Sequence, residues 1–334
     1  MSERGLFSHL DRLSDERGIF EHALGRTRQE AHGYCTDDNA RMAVVCLREA
    51  EDQTADRLRD VALEFVLASL EPDGRCRNRM DRDGRWTDHG ATGDWWGRAL
   101  WALGTAVGSH PDPVMKDRCL AAFELATRQR SAWPRSMAFA TLGAGEVFTA
   151  HPDRRPARQI LTDTVNAIGP APQGGWQWPE RRLSYANATL AEALIVAGNH
   201  LTQPRTVERG AGILAWLLVN ETRDGHLSVT GTGGRGPNDL EAQFDQQPIE
   251  VAAMADACWR ACVVTGDQAW TRGIAAAAGW FNGDNDAGLA MHDPVSGGAY
   301  DGLSHHSVNA NQGAESTIAY ISTMQRARSF AATT

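Results

Sequence analysis

Carboxylates recur at one kind of place in this chain: just ahead of, or within the first turn of, runs that are apolar on nearly every side. Asp37 and Asp38 open the run ending at Leu47, and Asp94 opens the run through Leu103. Glu250 follows Pro248 into a third, and Glu315 stands early in a last one. Proline's fixed φ and missing N–H suit a first helical position, so Pro248 marks a helix start. Each acid taken singly could cap its helix or answer the helix dipole. Asp37 and Asp38 adjoin each other, which costs mutual repulsion and argues for a second purpose. Glu250 has a more polar approach (Asp245, Gln246, Gln247) than a cap requires. Such acids suit glycosidic bond cleavage, in which one carboxylic acid protonates the leaving oxygen and a second carboxylate activates water or attacks the anomeric carbon. A separation of about 6.5–9.5 Å goes with inversion and about 5–5.5 Å with retention.

The loops that enter these runs carry the groups that would hold a sugar. Indole and phenol faces are offered by Tyr34, Trp86, Trp95, Trp96, Trp176, Trp178, Tyr185 and Tyr300. Hydrogen-bonding side chains are offered by Asn39, Asp245, Gln246, Gln247, His305, Asn311 and Gln312. Eleven Trp against four Tyr is a skewed choice. Trp is a good platform for sugar faces, though it is more often core packing. Glu180 lies among these aromatics, and Glu192 sits deeper in its own helix.

Six apolar helical runs alternate with amphipathic ones, at intervals of roughly 40–65 residues, where helical repeats are sought. Two concentric rings require this alternation, since inner helices are buried all round and outer helices show one face to water. Loops entering the apolar runs are long and those leaving them short, which favours a closed ring with one functional face over an open solenoid. The expectation is an all-α fold, a single (α/α)6 toroid over residues 1–334, with a short N-terminal helix completing the outer ring. The predicted helix spans include 55–70, 113–129, 156–168, 183–195 and 206–219, with a hairpin turn at Asp83-Gly84.

A net charge of -9 argues against a nucleic-acid partner and fits a neutral oligo- or polysaccharide. The six cysteines form no C-x-x-C pair, and His305-His306 lacks a third ligand at useful spacing, so neither metal nor cofactor is expected. Asp284 to Gly288 lacks the spaced acids of a calcium loop, and Gly231 to Gly236 lacks the P-loop Lys-Ser/Thr. There is no membrane-length apolar run, and Met1 to Gly5 does not open a signal peptide. A cytoplasmic protein with reduced thiols is expected, and self-association is left open.

The blocks His32 to Arg41, Gly93 to Gly104, Phe244 to Glu250, Gly297 to Gly302 and Asn311 to Ser316 resemble bacterial toroidal glycan-processing proteins, some found attached to or beside glycosyltransferases. Within that group the chain is most similar to the mycobacterial methylmannose polysaccharide hydrolase family. The resemblance spans nearly the whole chain. It implies an (α/α) toroid, an endo-acting α-1,4-mannosidase trimming a cytoplasmic methylated mannan with inversion, and a catalytic pair at Asp38 and Glu250. Asp37, Asp94 and Glu315 are the reserve candidates. Two other classes stay open. One is a non-catalytic glycan-binding toroid serving a glycosyltransferase. The other is a sugar epimerase relying on His89, His305 or His306.

Overall fold

The inner layer is built from helices that have no water-facing side. In α8 (Asn187–His200) every residue from Asn187 to Gly198 is buried. The same holds for most of α2 (Thr36–Leu47), α4 (Asp94–Ser109), α6 (Pro134–Ala150) and α10 (Pro248–Thr265), and α12 (Ala314–Ala331) is the sixth of the set. The outer helices are α1 (Ser8–Leu13), α3 (Gln53–Ser69), α5 (Pro113–Ala126), α7 (Arg155–Ile168), α9 (Pro204–Asn220) and α11 (Thr271–Phe281). In α7 only Ala157, Ile160, Leu161, Thr164 and Ile168 are buried, one stripe at helical spacing. This computed structural model describes residues 5–170 and 175–331. Met1 to Arg4, named in the sequence analysis, lie outside them.

Each inner helix packs on the inner helices before and after it, and α12 returns to pack on α2. The ring is therefore closed, and α1 completes the outer layer between α12 and α3. This is the expected (α/α)6 toroid. Glycines bring α4 and α6 together: a Cβ on Gly143 would lie 2.0 Å from the Leu100 carbonyl oxygen, and one on Gly104 would lie 2.2 Å from that of Gly143. The connections 48–52, 110–112, 151–154, 201–203 and 266–270 leave the inner helices by short turns. The long segments 70–93, 127–133, 169–186, 221–247 and 282–313 enter them, so nearly all loop mass gathers at the N-terminal end of the inner ring.

Most helix boundaries fall near the predicted ones, and the turn at Asp83-Gly84 forms, with Met80 bridging Trp86. The start of α8 is an exception. Leu183 exchanges backbone hydrogen bonds with Arg235 at 2.8 and 3.1 Å, and Ala186 adopts a left-handed φ of 44°. The helix therefore begins at Asn187 rather than Leu183. All six cysteines are buried and free. Among the described residues no helix is long and apolar enough to cross a membrane.

Candidate active site

At the loop-bearing end the inner ring opens into a cup of about 370 Å³. Its lining holds six carboxylates, Glu21, Asp37, Asp38, Asp245, Asp301 and Glu315, with Arg41, Arg79, His22, Asn78, Gln247, Asn309 and Asn311. The acids follow one arc of the ring. Asp37 and Asp38 belong to α2, Glu315 to α12, and Asp245 to the segment entering α10.

The α2 wall starts at Cys35, an extended residue whose Sγ caps the helix by accepting the Asp38 N–H at 3.4 Å. The thiol donates in turn to Asp38 Oδ2 at 3.1 Å. One turn on, Arg41 reaches back to Asp38 Oδ1 and forward to Glu315 Oε2 at 2.6 Å. A single guanidinium thus spans carboxylates from the first and last inner helices. Arg98 of α4 holds Asp37 Oδ2 at 2.6 Å, and Arg79 pairs with Glu21. Asp301 accepts from the Gly313 N–H at 2.8 Å and from the Ser316 hydroxyl, which anchors its loop to the start of α12. Two buried carboxylate oxygens, Asp37 Oδ1 and Asp245 Oδ1, have no hydrogen-bond partner among the described residues. A polar group left unpaired there is costly, so both are natural acceptors for a ligand hydroxyl.

Burial pushes the Asp38 carboxyl up to about 6, and Arg41 offsets only part of that. Glu315 goes the other way: burial alone would raise it, but Arg41 and then Arg98 outweigh burial and hold it below the ordinary glutamate value. Asp245 is raised by burial and by the neighbouring Asp301 charge. Two groups on one guanidinium with oppositely displaced ionisation is how an acid and a base are told apart in a site of like residues.

Below the cup a second, narrow space of about 50 Å³ lies between the inner helices. Val44, Val45, Trp101, Phe139, Ile249 and Ile318 make it largely apolar, and Arg41 and Glu315 line both spaces. Its polar wall includes Glu192 and Asp256.

Glu250 lines neither space. It is buried, its Oε1 accepting from the Ala186 N–H and its Oε2 from the Asn187 N–H at 3.3 Å and the Asn187 amide at 3.1 Å. It fastens the first turn of α10 to the start of α8. Burial, and then the charge of Glu221, lift its carboxyl to about 8 against those amides.

Of the sequence-derived contacts, Asp37, Asp38, Asp245, Gln247, Asn311 and Glu315 line the cup. Several others are structural instead. Tyr34 is buried against Phe20 and donates to Asp15 at 2.6 Å, and Trp86 packs edge-on to Phe65. Asn39 ties the Ile19 N–H and the Cys35 carbonyl. Trp95, Trp96 and Trp176 spend their indole N–H groups on the carbonyls of Cys76, Ala126 and Glu180. Trp178 is fully buried and stacks on Trp216. Gln246 bridges Trp280 and Asp286, and Gln312 engages Ser296 and Asp293. Tyr300 packs on the core around α10, and His305 lies on Phe244, ring centres 3.9 Å apart. Asp94 and Tyr185 stand together on the opposite side of the mouth.

Sequence reasoning missed Glu21, His22, Arg41, Asn78, Arg79, Asp301, Asn309 and Ser316. Arg41 alone carried a signal, one turn after Asp38 on an otherwise apolar helix. Ser316 stands in the first turn of α12, and the rest lie in segments between the helices that converge only once the ring closes.

No family profile matches the sequence, and no curated protein matches it. Solved structures do match by shape. A sugar epimerase from a ruminal bacterium aligns over 98% of this chain and 96% of its own at 12% identity, with a TM-score of 0.73. An α-amylase from Clostridium perfringens aligns over 96% of both chains at 13% identity and a TM-score of 0.63. A glycosidase solved with glucose covers 96% of this chain and 95% of its own at 16% identity and 0.59. At such identities the likeness establishes the shared toroid.

Proposed function

We propose that this chain is a glycoside hydrolase that cleaves α-mannosidic bonds in the cup, acting within an α-1,4-linked, methylated mannan. The observation that carries the hydrolase reading is the Asp38–Arg41–Glu315 cluster, two carboxylates on one guanidinium with ionisation displaced in opposite directions. Toroid neighbours described as glycosidase and α-amylase support it, and the sequence resemblance supports the mannan substrate.

In this reading Asp38 carries the proton for the leaving oxygen. Glu315, kept ionised by Arg41 and partly open to the cup, takes the role of base or nucleophile. The orphan oxygens of Asp37 and Asp245, with the amides of Asn78, Gln247, Asn309 and Asn311, hold sugar hydroxyls. Glu250, the implied partner of Asp38, keeps a proton one layer behind the wall.

Incubation with a panel of α-mannans and α-glucans, with product analysis, tests the assignment. Asp38→Asn and Glu315→Gln are each expected to cut hydrolysis by on the order of 10²–10⁴-fold while the far-UV spectrum stays unchanged. Unaltered cleavage by both variants would remove the cluster from the chemistry. Loss in a folded Glu250→Gln protein, with Glu315→Gln active, would return the second role to Glu250.

Epimerisation is the second reading. It is favoured by the epimerase neighbour and by His22, which lines the cup 3.7 Å from Glu21. His305 and His306 are not in that lining, and His89 is exposed on its loop. A new epimer without new reducing ends would select this reading.

A further inference from the structure

The mouth of the toroid is divided. Its acids occupy the arc α10–α12–α2, and the remaining arc, α4–α6–α8, carries exposed aromatic side chains. Trp133, the N-cap of α6, is 67% exposed, and Tyr185, just ahead of α8, is 46% exposed. Most large aromatic residues here are buried or tied by indole N–H bonds, so two open ones at the loop-bearing end stand out.

We propose that the α4–α6–α8 arc is a distal binding site for a neutral oligosaccharide, with Tyr185 and Trp133 as successive ring-stacking platforms. It rests on the reading that the cup acts on a glycan, and it names where the rest of that glycan lies.

The arc is continuous with the cup. Asp37 in the lining is held by Arg98 of α4, and Arg98 and Asp94 both act on the Tyr185 phenol. Tyr185 is fixed rather than loose: the Arg135 guanidinium sits 4.8 Å from its ring centre, and Arg135 also binds the Tyr185 carbonyl. Trp133 lies two residues before Arg135, and its own carbonyl accepts the Met137 N–H at 3.1 Å, which sets it on the first turn of α6. Ser136 in that turn donates to the Gly93 carbonyl at 2.5 Å, wedging α6 between the starts of α4 and α8.

The chemistry of the occupant follows from the charges. Arg135 is neutralised by Glu180 through two 2.7 Å bonds, and Arg98 by Asp37. The two cations that hold Tyr185 and the α4 start are thus both paired, and the six acids of the cup oppose an anionic chain. An aromatic face beside paired charges suits the apolar face of a neutral sugar ring.

Titration calorimetry with α-mannooligosaccharides from dimer to octamer tests this, in an Asp38→Asn background so that no chain is cut. Affinity is expected to rise with chain length. Trp133→Ala and Tyr185→Ala should each lose roughly five- to tenfold for the longer chains and little for the dimer, while Tyr185→Phe should keep the gain. Trp133 is open, so Trp133→Ala should leave thermal melting unmoved, and Tyr185→Phe keeps the ring on Arg135 as the folding control for that position. Length dependence that is equal in parent and variants, or a parent that binds dimer and octamer equally, would overturn the site. Retention of length-dependent binding with no cleavage by the native protein would remove the hydrolase reading and leave this site standing. No binding at any length would remove both.

Discussion

Arg41 decides which of its two carboxylate partners carries a proton. It is buried, and although burial disfavours its charge, Glu315, Asp38 and Asp37 together hold it firmly cationic. Arg41 with Arg98 outweighs burial at Glu315, whereas at Asp38, which is the more deeply enclosed, Arg41 faces burial together with the charges of Glu315, Asp37 and Glu21. If Asp38 is the proton donor, as proposed, its carboxyl, raised to about 6, makes the hydrolysis rate fall as pH rises through that value. A pH–rate profile flat from 5 to 8 would contradict the assignment of Asp38 as donor. At this scale the sequence was legible for acids at helix starts and poor for aromatics. Trp96 and Trp178 have the same surroundings in sequence as a sugar platform, but their indole edges find partners inside the protein. Only solvent exposure, which sequence does not carry, separates them from Trp133.

The joint between α8 and α10 hangs on Glu250. Its folded value of about 8 lies above the ordinary 4.5, so the folded state binds a proton more tightly than the unfolded chain does. Stability from this group is fully present below pH 4.5 and is lost as pH rises toward 8. Glu250→Gln should flatten that decline in denaturant melts run across pH 5 to 8, and an unchanged slope would show that Glu250 is not its source. The α4–α6 crossing makes a different demand. Gly143→Ala must push a methyl into the Leu100 carbonyl, and we expect it to cost about 1–3 kcal/mol, read as a lower urea midpoint at constant slope. Helix existence and order were readable because burial on all sides leaves a nearly unbroken apolar run. The start of α8 was not, because Leu183 extends the apolar pattern yet pairs with the backbone of Arg235, in a loop remote in sequence, and Ala186 turns left-handed before the helix begins.

Ring closure depends on the far end of the barrel as much as on the cup. Asp256 of α10 pairs with Arg48 at 3.0 Å and Arg326 at 2.5 Å, and Ser322 donates to it at 3.0 Å, so α2, α10 and α12 meet on one buried carboxylate. Asp256→Ala would leave the buried Arg326 guanidinium without its carboxylate and the half-buried Arg48 with Ser322 alone, and we expect it to cost roughly 3–5 kcal/mol, visible as a large drop in melting temperature. A drop no larger than that of an exposed Asp→Ala control would show that the cluster does not brace the ring. The toroid itself was legible because alternation of apolar and amphipathic helices is a whole-chain pattern, whereas the closing contacts join residues whose proximity no local pattern encodes. Arg41 and Glu315 are 274 positions apart, and that distance also has a meaning in time. During synthesis the first half of the reacting cluster leaves the ribosome long before its counterpart is translated. On the hydrolase reading proposed above, a nascent chain can do no chemistry until its twelfth helix docks, so each copy would switch on only when its ring is whole.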